Sequence, residues 1–207
     1  MSILGDITKH MKDYKIVRLG EIFASGKKGT LKQEELIENG EFPVINSGRE
    51  FYGYYDKYNN ENAIAITSRG EYAGFIHYHQ GKFWAGGLCH PYSVKSENDV
   101  NIKFIYYYLK YKEQSIMENL VSRGSIPALN KVDIDNYLIP LPPLTTQLAI
   151  VEVLDKFTEL EKELEKRKLQ YQYYRDKLLT FTEEEREMGS ERGEDWGCVC
   201  DCRENWF

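Results

Sequence analysis

Ile150, Val153, Phe157, Leu160, Leu164, Arg167, Tyr171, Tyr174, Leu178 and Phe181 follow one another at alternating steps of three and four residues. Sustained over about four heptads, that spacing predicts one long helix with a narrow seam along one side. A second helix is needed to bury such a seam, so the element is expected to pair; packing of the helix on its own domain is the alternative. Arg167 and the tyrosines favour an imperfect, polar-tolerant pairing over a dedicated zipper. Pro140, Pro142 and Pro143 hold the preceding chain extended, and Thr145 or a neighbour can cap the first turn. Residues 145–181 would then span about 55 Å at 1.5 Å per residue.

What precedes the helix is enough chain for one ordinary domain and hardly two. Tyr14 to Leu19 alternates as a strand does, and Leu31 to Asn39 reads as a short helix stopped by Gly40. From Phe42 to Val94, short aromatic and β-branched runs such as Phe42–Ile45 and Ala63–Thr67 alternate with Gly and Asn clusters, the pattern of strands and turns. Gly74–His79 and Lys82–Trp84 flank Gln80–Gly81, which predicts a tight hairpin there. Ile105, Leu109, Ile116 and Leu120 then mark a second helix, with Tyr106, Tyr107, Tyr108 and Tyr111 widening its buried stripe. Ser122 to Asn130 reads as a loop. The fold class is α+β: one mixed domain of strands and helices followed by a long coiled-coil helix. The divisions are an N-terminal extension over 1–13, a domain over 14–143, the helix over 144–182 and an acidic, disordered tail over 183–207.

The formal net charge of −6 comes from that tail, whose nine acids and three bases leave the rest of the chain neutral. A neutral body neither requires nor forbids a nucleic-acid partner, because a local basic stripe suffices to hold phosphate. No apolar stretch approaches the ~20 residues of a membrane helix, and the N-terminus lacks a secretory pattern, so no membrane partner and a cytoplasmic location are expected. Cys198, Cys200 and Cys202 sit at two-residue steps, without the paired spacing of a zinc site. His77, His79, Cys89 and His90 are read as structural rather than metal-binding, since no acid or second paired ligand stands at a characteristic spacing. No glycine-rich nucleotide loop and no methyl-transfer signature is visible, and no bound metal or catalytic residue is expected.

Four basic segments lie in predicted loops: Lys27-Lys28-Gly29-Thr30, Arg49 after Asn46-Ser47-Gly48, Ser68-Arg69, and Ser122-Arg123-Gly124-Ser125. Gly permits close backbone approach and Arg can grip guanine in a two-pronged fork, so if the partner is DNA, Lys27, Lys28, Arg49, Ser68, Arg69, Arg123 and Ser125 are the candidate contacts. Lysines such as these also occur simply as solvated turns. The run Phe51-Tyr52-Gly53-Tyr54-Tyr55 could stack on bases, but aromatic residues in strands are usually core, and core is the expectation here.

Gly124-Ser-Ile-Pro-Ala-Leu-Asn130, Ile139-Pro-Leu-Pro-Pro-Leu144, Gln147 and Ile150-Val-Glu-Val-Leu-Asp155 form an ordered series that resembles the specificity subunits of type I restriction-modification enzymes. Val17–Ile22 resembles the opening of that family's target-recognition domain, and Thr67–Gly70 its mid-domain turn; Thr145-Thr146 stands where an acidic pair is commoner. The resemblance covers about residues 14 to 181. It implies a non-catalytic reader of double-stranded DNA, with the helix as spacer. S-adenosylmethionine, ATP and magnesium would sit on partner modification and restriction/translocase subunits, none being bound by this chain directly. Full-length members carry two domains and two spacers, whereas one of each is found here. The resemblance therefore implies a half-subunit that pairs with itself or with another half-subunit, through Phe157, Leu160, Leu164, Tyr171, Tyr174 and Leu178, and reads a split palindrome. A stand-alone DNA nuclease and a coiled-coil interaction protein that binds no DNA are the alternatives. Magnesium-dependent cleavage would reveal the first, and absence of salt-sensitive DNA binding the second.

Overall fold

The computed structural model describes residues 14–180. It divides into two compact units after Asp155. The expected N-terminal extension, the acidic tail and the seam residue Phe181 lie outside the described residues.

In the first unit, β1 (Lys15–Arg18) pairs antiparallel with β10 (Leu138–Leu141), Ile16 opposite Pro140, so the start of the domain is tied to the chain that leads into the long helix. A one-turn helix, α1 (Leu19–Ile22), follows β1 and buries Leu19 completely. The main sheet has six strands: β2 (Phe23–Ser25), β3 (Phe42–Ile45), β4 (Gly53–Tyr55), β5 (Asn60–Thr67), β6 (Ile76–Ala85) and β7 (Cys89–Val94). Their spatial order is β2-β7-β5-β6-β3-β4, antiparallel except for the parallel pair β3–β6. β5, near the centre, is covered on both faces because its side chains alternate. Ile64 and Ile66 enter the main core with Ile76, Tyr92, Ile105 and Leu109, while Ala63 and Ala65 join Ile45, Phe83, Ala85 and Cys89 on the other side.

The helix α2 (Ile102–Asn119) packs on β5 and β6. Asn101 caps it by accepting a hydrogen bond from the Phe104 amide (3.1 Å). Ile105, Leu109 and Ile116 are fully buried, as their spacing predicts, but Tyr111 is 77% exposed. Tyr111 stands two positions, about 200°, beyond Leu109 on the helix and so turns away from the core. Two-residue strands β8 (Val121–Ser122) and β9 (Ala128–Leu129) pair with each other and narrow the expected loop to residues 123–127. The short α3 (Lys131–Asp135) follows.

Two local expectations are corrected. Gln80–Gly81 is not a hairpin turn, because β6 runs through it without a break. Its partner is β5, and the register slips between Glu61 and Ala63, so Gly81 lies in a β-bulge. Gly81 has φ +100° and donates its amide to Asn62 Oδ1 (2.7 Å). A bulge calls for the same left-handed glycine as a turn, and it sharpens the local twist. The helix expected over Leu31–Asn39 is a single 3-10 turn, Gln33–Glu35. There the Ile37 amide donates to Tyr54 O (2.9 Å), so the chain hydrogen-bonds to β4 instead of continuing a helical ladder.

The long helix, α4, spans Leu144–Leu179. Its first turn is not capped by Thr145, which lies inside the helix; the Pro143 carbonyl accepts from the Thr146 and Gln147 amides. The fully buried Gln147 then fastens this turn to the first unit. Its Oε1 accepts from the Asn101 amide (2.8 Å), and its Nε2 donates to the carbonyls of Asp99 (2.9 Å) and Pro142 (2.8 Å). Farther along, Lys103 and the Tyr107 hydroxyl both donate to Asp155. The second unit is the rest of α4. Here Phe157, Leu160, Leu164, Tyr171, Tyr174 and Leu178 are between 50% and 72% exposed.

Candidate nucleic-acid interface

The four basic segments are scattered over nearly a hundred residues of sequence, yet hydrogen bonds link the segments to one another. Past the end of β5, the Ser68 amide donates to Leu88 O (2.8 Å), and the Leu88 amide donates to Asn46 Oδ1 (3.0 Å), which brings in the Asn46–Arg49 segment. From the other side, the Leu129 amide donates to Ser68 O (2.8 Å) and the Gly70 amide to Pro127 O (3.0 Å), while Arg69 bridges Ala128. The turn with Arg69 and the hairpin with Arg123 and Ser125 are therefore bonded directly to each other.

Lys27 and Lys28 enter through a third set of contacts. Asn60 Nδ2 donates to Lys27 O (2.6 Å), and the Gly29 amide donates to Ala85 O (2.9 Å). Gly29 also passes so close to Trp84 that an added Cβ would lie 2.2 Å from the indole ring, so no larger residue fits this path. Lys28 Nζ lies 3.3 Å from His90 Nδ1, and His90 Nε2 lies 3.3 Å from Leu129 O.

Lys27, Lys28, Arg49, Arg69, Arg123 and Ser125 are all exposed, and Ser68 is half-buried. Arg49 is partly held in place: its guanidinium stacks over Tyr72 (5.0 Å to the ring centre), on the same turn as Arg69, and borders Phe75 (5.9 Å). The backbone carbonyl of Gly48 contacts His77 Nε2 (2.9 Å) and steadies the segment from below. Such a surface can do two jobs. Lysines and the backbone amides of Gly-rich turns suit phosphate, while arginines on anchored turns suit base edges in a groove.

Phe51, Tyr52 and Tyr54 are not core as expected; they are 46%, 42% and 41% exposed. The reason is their place at the sheet's end: β4 pairs only with β3 in the sheet, and among the described residues its other side is met only by the short 36–40 segment, through the Ile37 amide bonded to Tyr54 O (2.9 Å). The histidines and Cys89 have structural partners. His79 packs edge-on against Phe51 and Phe83, and the Cys89 thiol donates to the carbonyls of Ile45 and Gly86. Burial pushes the Cys89 thiol up to about 12, so it stays a neutral donor. Burial also lowers His77, His79 and His90, the last helped by the nearby Lys28 ammonium, so all three favour the uncharged ring. No group of three His, Cys, Asp or Glu able to hold a metal occurs among the described residues. Nor is any described helix long and apolar enough to cross a membrane. Reasoning from sequence missed His90 and Asn46 as organisers of this surface, since both act through contacts with residues distant in the chain.

The family model for the type I restriction modification DNA specificity domain matches residues 11–171. The chain belongs to that family. It is 30% identical over 188 residues to the type I restriction enzyme EcoR124I/EcoR124II specificity subunit of Escherichia coli, covering 81% of this chain and 45% of that one. With the type I restriction enzyme MpnII specificity subunit of Mycoplasma pneumoniae it shares 31% identity over 131 residues, 59% of this chain and 38% of the relative. The crystal structure of a type I restriction-modification system S subunit from M. genitalium superposes with a TM-score of 0.66 at 25% identity, over 79% of this chain and 45% of that one. This specificity-domain chain thus spans less than half the length of each of these proteins. The superposition places the α+β body followed by a long helix in the architecture of that S subunit.

Proposed function

We propose that this specificity domain selects the DNA sequence on which a type I restriction-modification complex acts, and is itself non-catalytic. The observation that carries the reading is the convergence of Lys27–Thr30, Arg49, Ser68–Arg69 and Arg123–Ser125 on one hydrogen-bonded surface in a chain whose relatives are specificity subunits. Arg69 and Arg123 are assigned to base edges because their segments are braced against each other; Lys27 and Lys28 are assigned to phosphates. Methyl transfer from S-adenosylmethionine and ATP- and magnesium-dependent translocation and cleavage belong to partner modification and restriction subunits in the cytoplasm.

The exposed seam on α4 supplies the pairing surface. A second such helix, from another copy or another specificity protein, would lie antiparallel along Phe157, Leu160, Leu164, Tyr171, Tyr174 and Leu178. Two domains held at the ends of a ~54 Å helix can reach half-sites more than one ~34 Å turn of DNA apart, which yields a split target, palindromic when the copies are identical. The nuclease and the DNA-independent interaction readings gain no support from the relatives, which are specificity subunits.

Methylome sequencing of cells expressing the chain with its candidate modification subunit tests the proposal. A new split methylation motif is expected, lost or relaxed in Arg69→Ala and Arg123→Ala. No new motif from a soluble, associated pair would overturn the recognition reading, and a motif unchanged in both variants would overturn the assignment of those two arginines.

A further inference from the structure

We infer that His90 is a positioning residue for sequence discrimination: as the neutral Nε2–H tautomer, its ring aligns Lys28 with the hairpin that carries Arg123 and Ser125. The inference rests on the reading of this surface as the DNA-binding one.

The geometry allows one protonation state. Lys28 Nζ, 3.3 Å from Nδ1, is an ammonium with only protons to give, so Nδ1 must accept. Leu129 O, 3.3 Å from Nε2, is a carbonyl that can only accept, so Nε2 must carry the hydrogen. A proton moved from Nε2 to Nδ1, or added there, sets an N–H against the ammonium. From Leu129 the connection continues: its amide donates to Ser68 O (2.8 Å), at the base of the turn with Arg69. The ring thus joins Lys28 to the strand of the hairpin, which is itself bonded to the Arg69 turn, though His90 is half-buried and need not touch DNA.

The charged groups acting on the ring are Lys28 from the β2–β3 connection and Lys131 and Asp135 from α3. On its own strand, the Cys89 thiol is neutral and the Tyr92 hydroxyl donates to Asp135 (2.7 Å). Asp135 also takes the Lys131 ammonium, so the one nearby carboxylate is already engaged twice. Burial, then Lys28, disfavours a charged ring, while the Leu129 carbonyl works the other way.

Protonation of His90 has two opposite consequences. It releases Lys28 from its alignment with the hairpin while Nε2–H keeps its bond to Leu129 O, which harms discrimination, yet it adds a positive charge, which helps phosphate binding of any sequence. A surface histidine with no positioning role would strengthen preferred and shuffled DNA alike.

The test begins with enrichment of a random duplex library on the full chain. The enriched duplex and a shuffled version of it are then titrated with wild type, His90→Gln and His90→Ala at about pH 7.5 and about pH 4.5, the lower value lying well beneath the ordinary histidine range because burial and Lys28 hold His90 below it. Glutamine keeps one donor and one acceptor but does not titrate. For wild type, the preferred-to-shuffled affinity ratio should fall about tenfold on acidification, the scale of one base contact, without weaker binding of shuffled DNA. His90→Gln should keep the neutral-pH ratio at both values, and His90→Ala should have the low ratio at both. Long-range ¹H–¹⁵N correlation of the free protein should show the His90 Nε2–H tautomer. An Nδ1–H tautomer, or an acid-dependent fall in His90→Gln equal to that of wild type, would overturn the inference while leaving DNA recognition intact. Enrichment of no duplex at all would overturn the DNA reading, and the inference with it.

Discussion

Leu109 and Leu164 are both leucines at helical spacing in tyrosine- and charge-rich stretches, yet Leu109 is 0% exposed and Leu164 is 55% exposed. The same contrast separates the two units. In residues 14–155 the apolar stripe of α2 meets a sheet that the same chain supplies, and Ile105, Leu109 and Ile116 vanish into it. In residues 156–180 an equally regular stripe stays in solvent, flanked by local ion pairs such as Arg167–Glu163 and Arg175–Asp176. Periodicity therefore fixes which face of a helix is apolar, whereas the presence of a complementary surface decides what that face does. A stripe with a complementary surface in the same unit becomes core; one without stays exposed.

The comparison is sharpest where a leucine is cut back in each unit. Leu109→Ala should destabilise the first unit by about 3 kcal/mol, through lost burial and the cavity left behind. Chemical denaturation of the three variants checks the contrast, because Leu160→Ala and Leu164→Ala should each shift the first unit's unfolding by less than about 0.5 kcal/mol. If the seam variants destabilise that unit as much as Leu109→Ala, the distinction between core and interface fails. Leu160→Asp with Leu164→Asp should instead dissociate paired helices, since a charge in the seam has no partner; light scattering at micromolar concentration reads the mass.

Gln147 probes the place where the long helix is fastened. Gln147→Ala leaves the Asn101 amide and the Asp99 and Pro142 carbonyls without their partner and should cost about 2 kcal/mol. Amide hydrogen exchange should show the loss as faster exchange in the first turns of α4. Unaltered exchange there would mean that apolar packing alone holds the helix base.

Acid should separate the units more gently. The folded first unit favours neutral His77, His79 and His90, so their folded-state values lie below those of the unfolded chain. The folded state then binds fewer protons than the unfolded one through this range. Its stability is fully present above about pH 6.5 and is lost as pH falls through the lowered values. Residues 156–180 contain no histidine. Thermal melts should show a decline of roughly a few degrees between about pH 7.5 and about pH 5.5 for the first unit, reduced when His77 is replaced by Gln. A flat profile would contradict burial as the dominant influence on these rings.

Much of the fold was legible because its signals are local. The strand patterns of Phe42–Ile45 and Ala63–Thr67, the stripe of α2 and the three-four spacing of α4 each report their own element. Signals shared by two structures misled. Gln80–Gly81 offers the left-handed glycine that both a hairpin turn and a bulge use, and only pairing of β6 along β5 distinguishes them. Leu31–Asn39 has helical composition, but β4 claims its backbone. The basic segments were recognisable one at a time, from Arg and Lys beside Gly and Ser. Their union depends on Asn46, Leu88, His90 and Leu129, whose contacts reach across tens of residues.

The sequence by itself determined the α+β character, the long seam-bearing helix, the ordered motifs of the specificity family and the residue types suited to DNA. Only the tertiary structure decided which apolar stripe is core, which glycine makes a bulge, which aromatic residues stay exposed at the edge strand, and that one imidazole joins separate basic segments. The reason is physical: periodicity and backbone preference act between neighbours in the chain, whereas burial and hydrogen-bond partnership are properties of groups that meet only when the chain has folded.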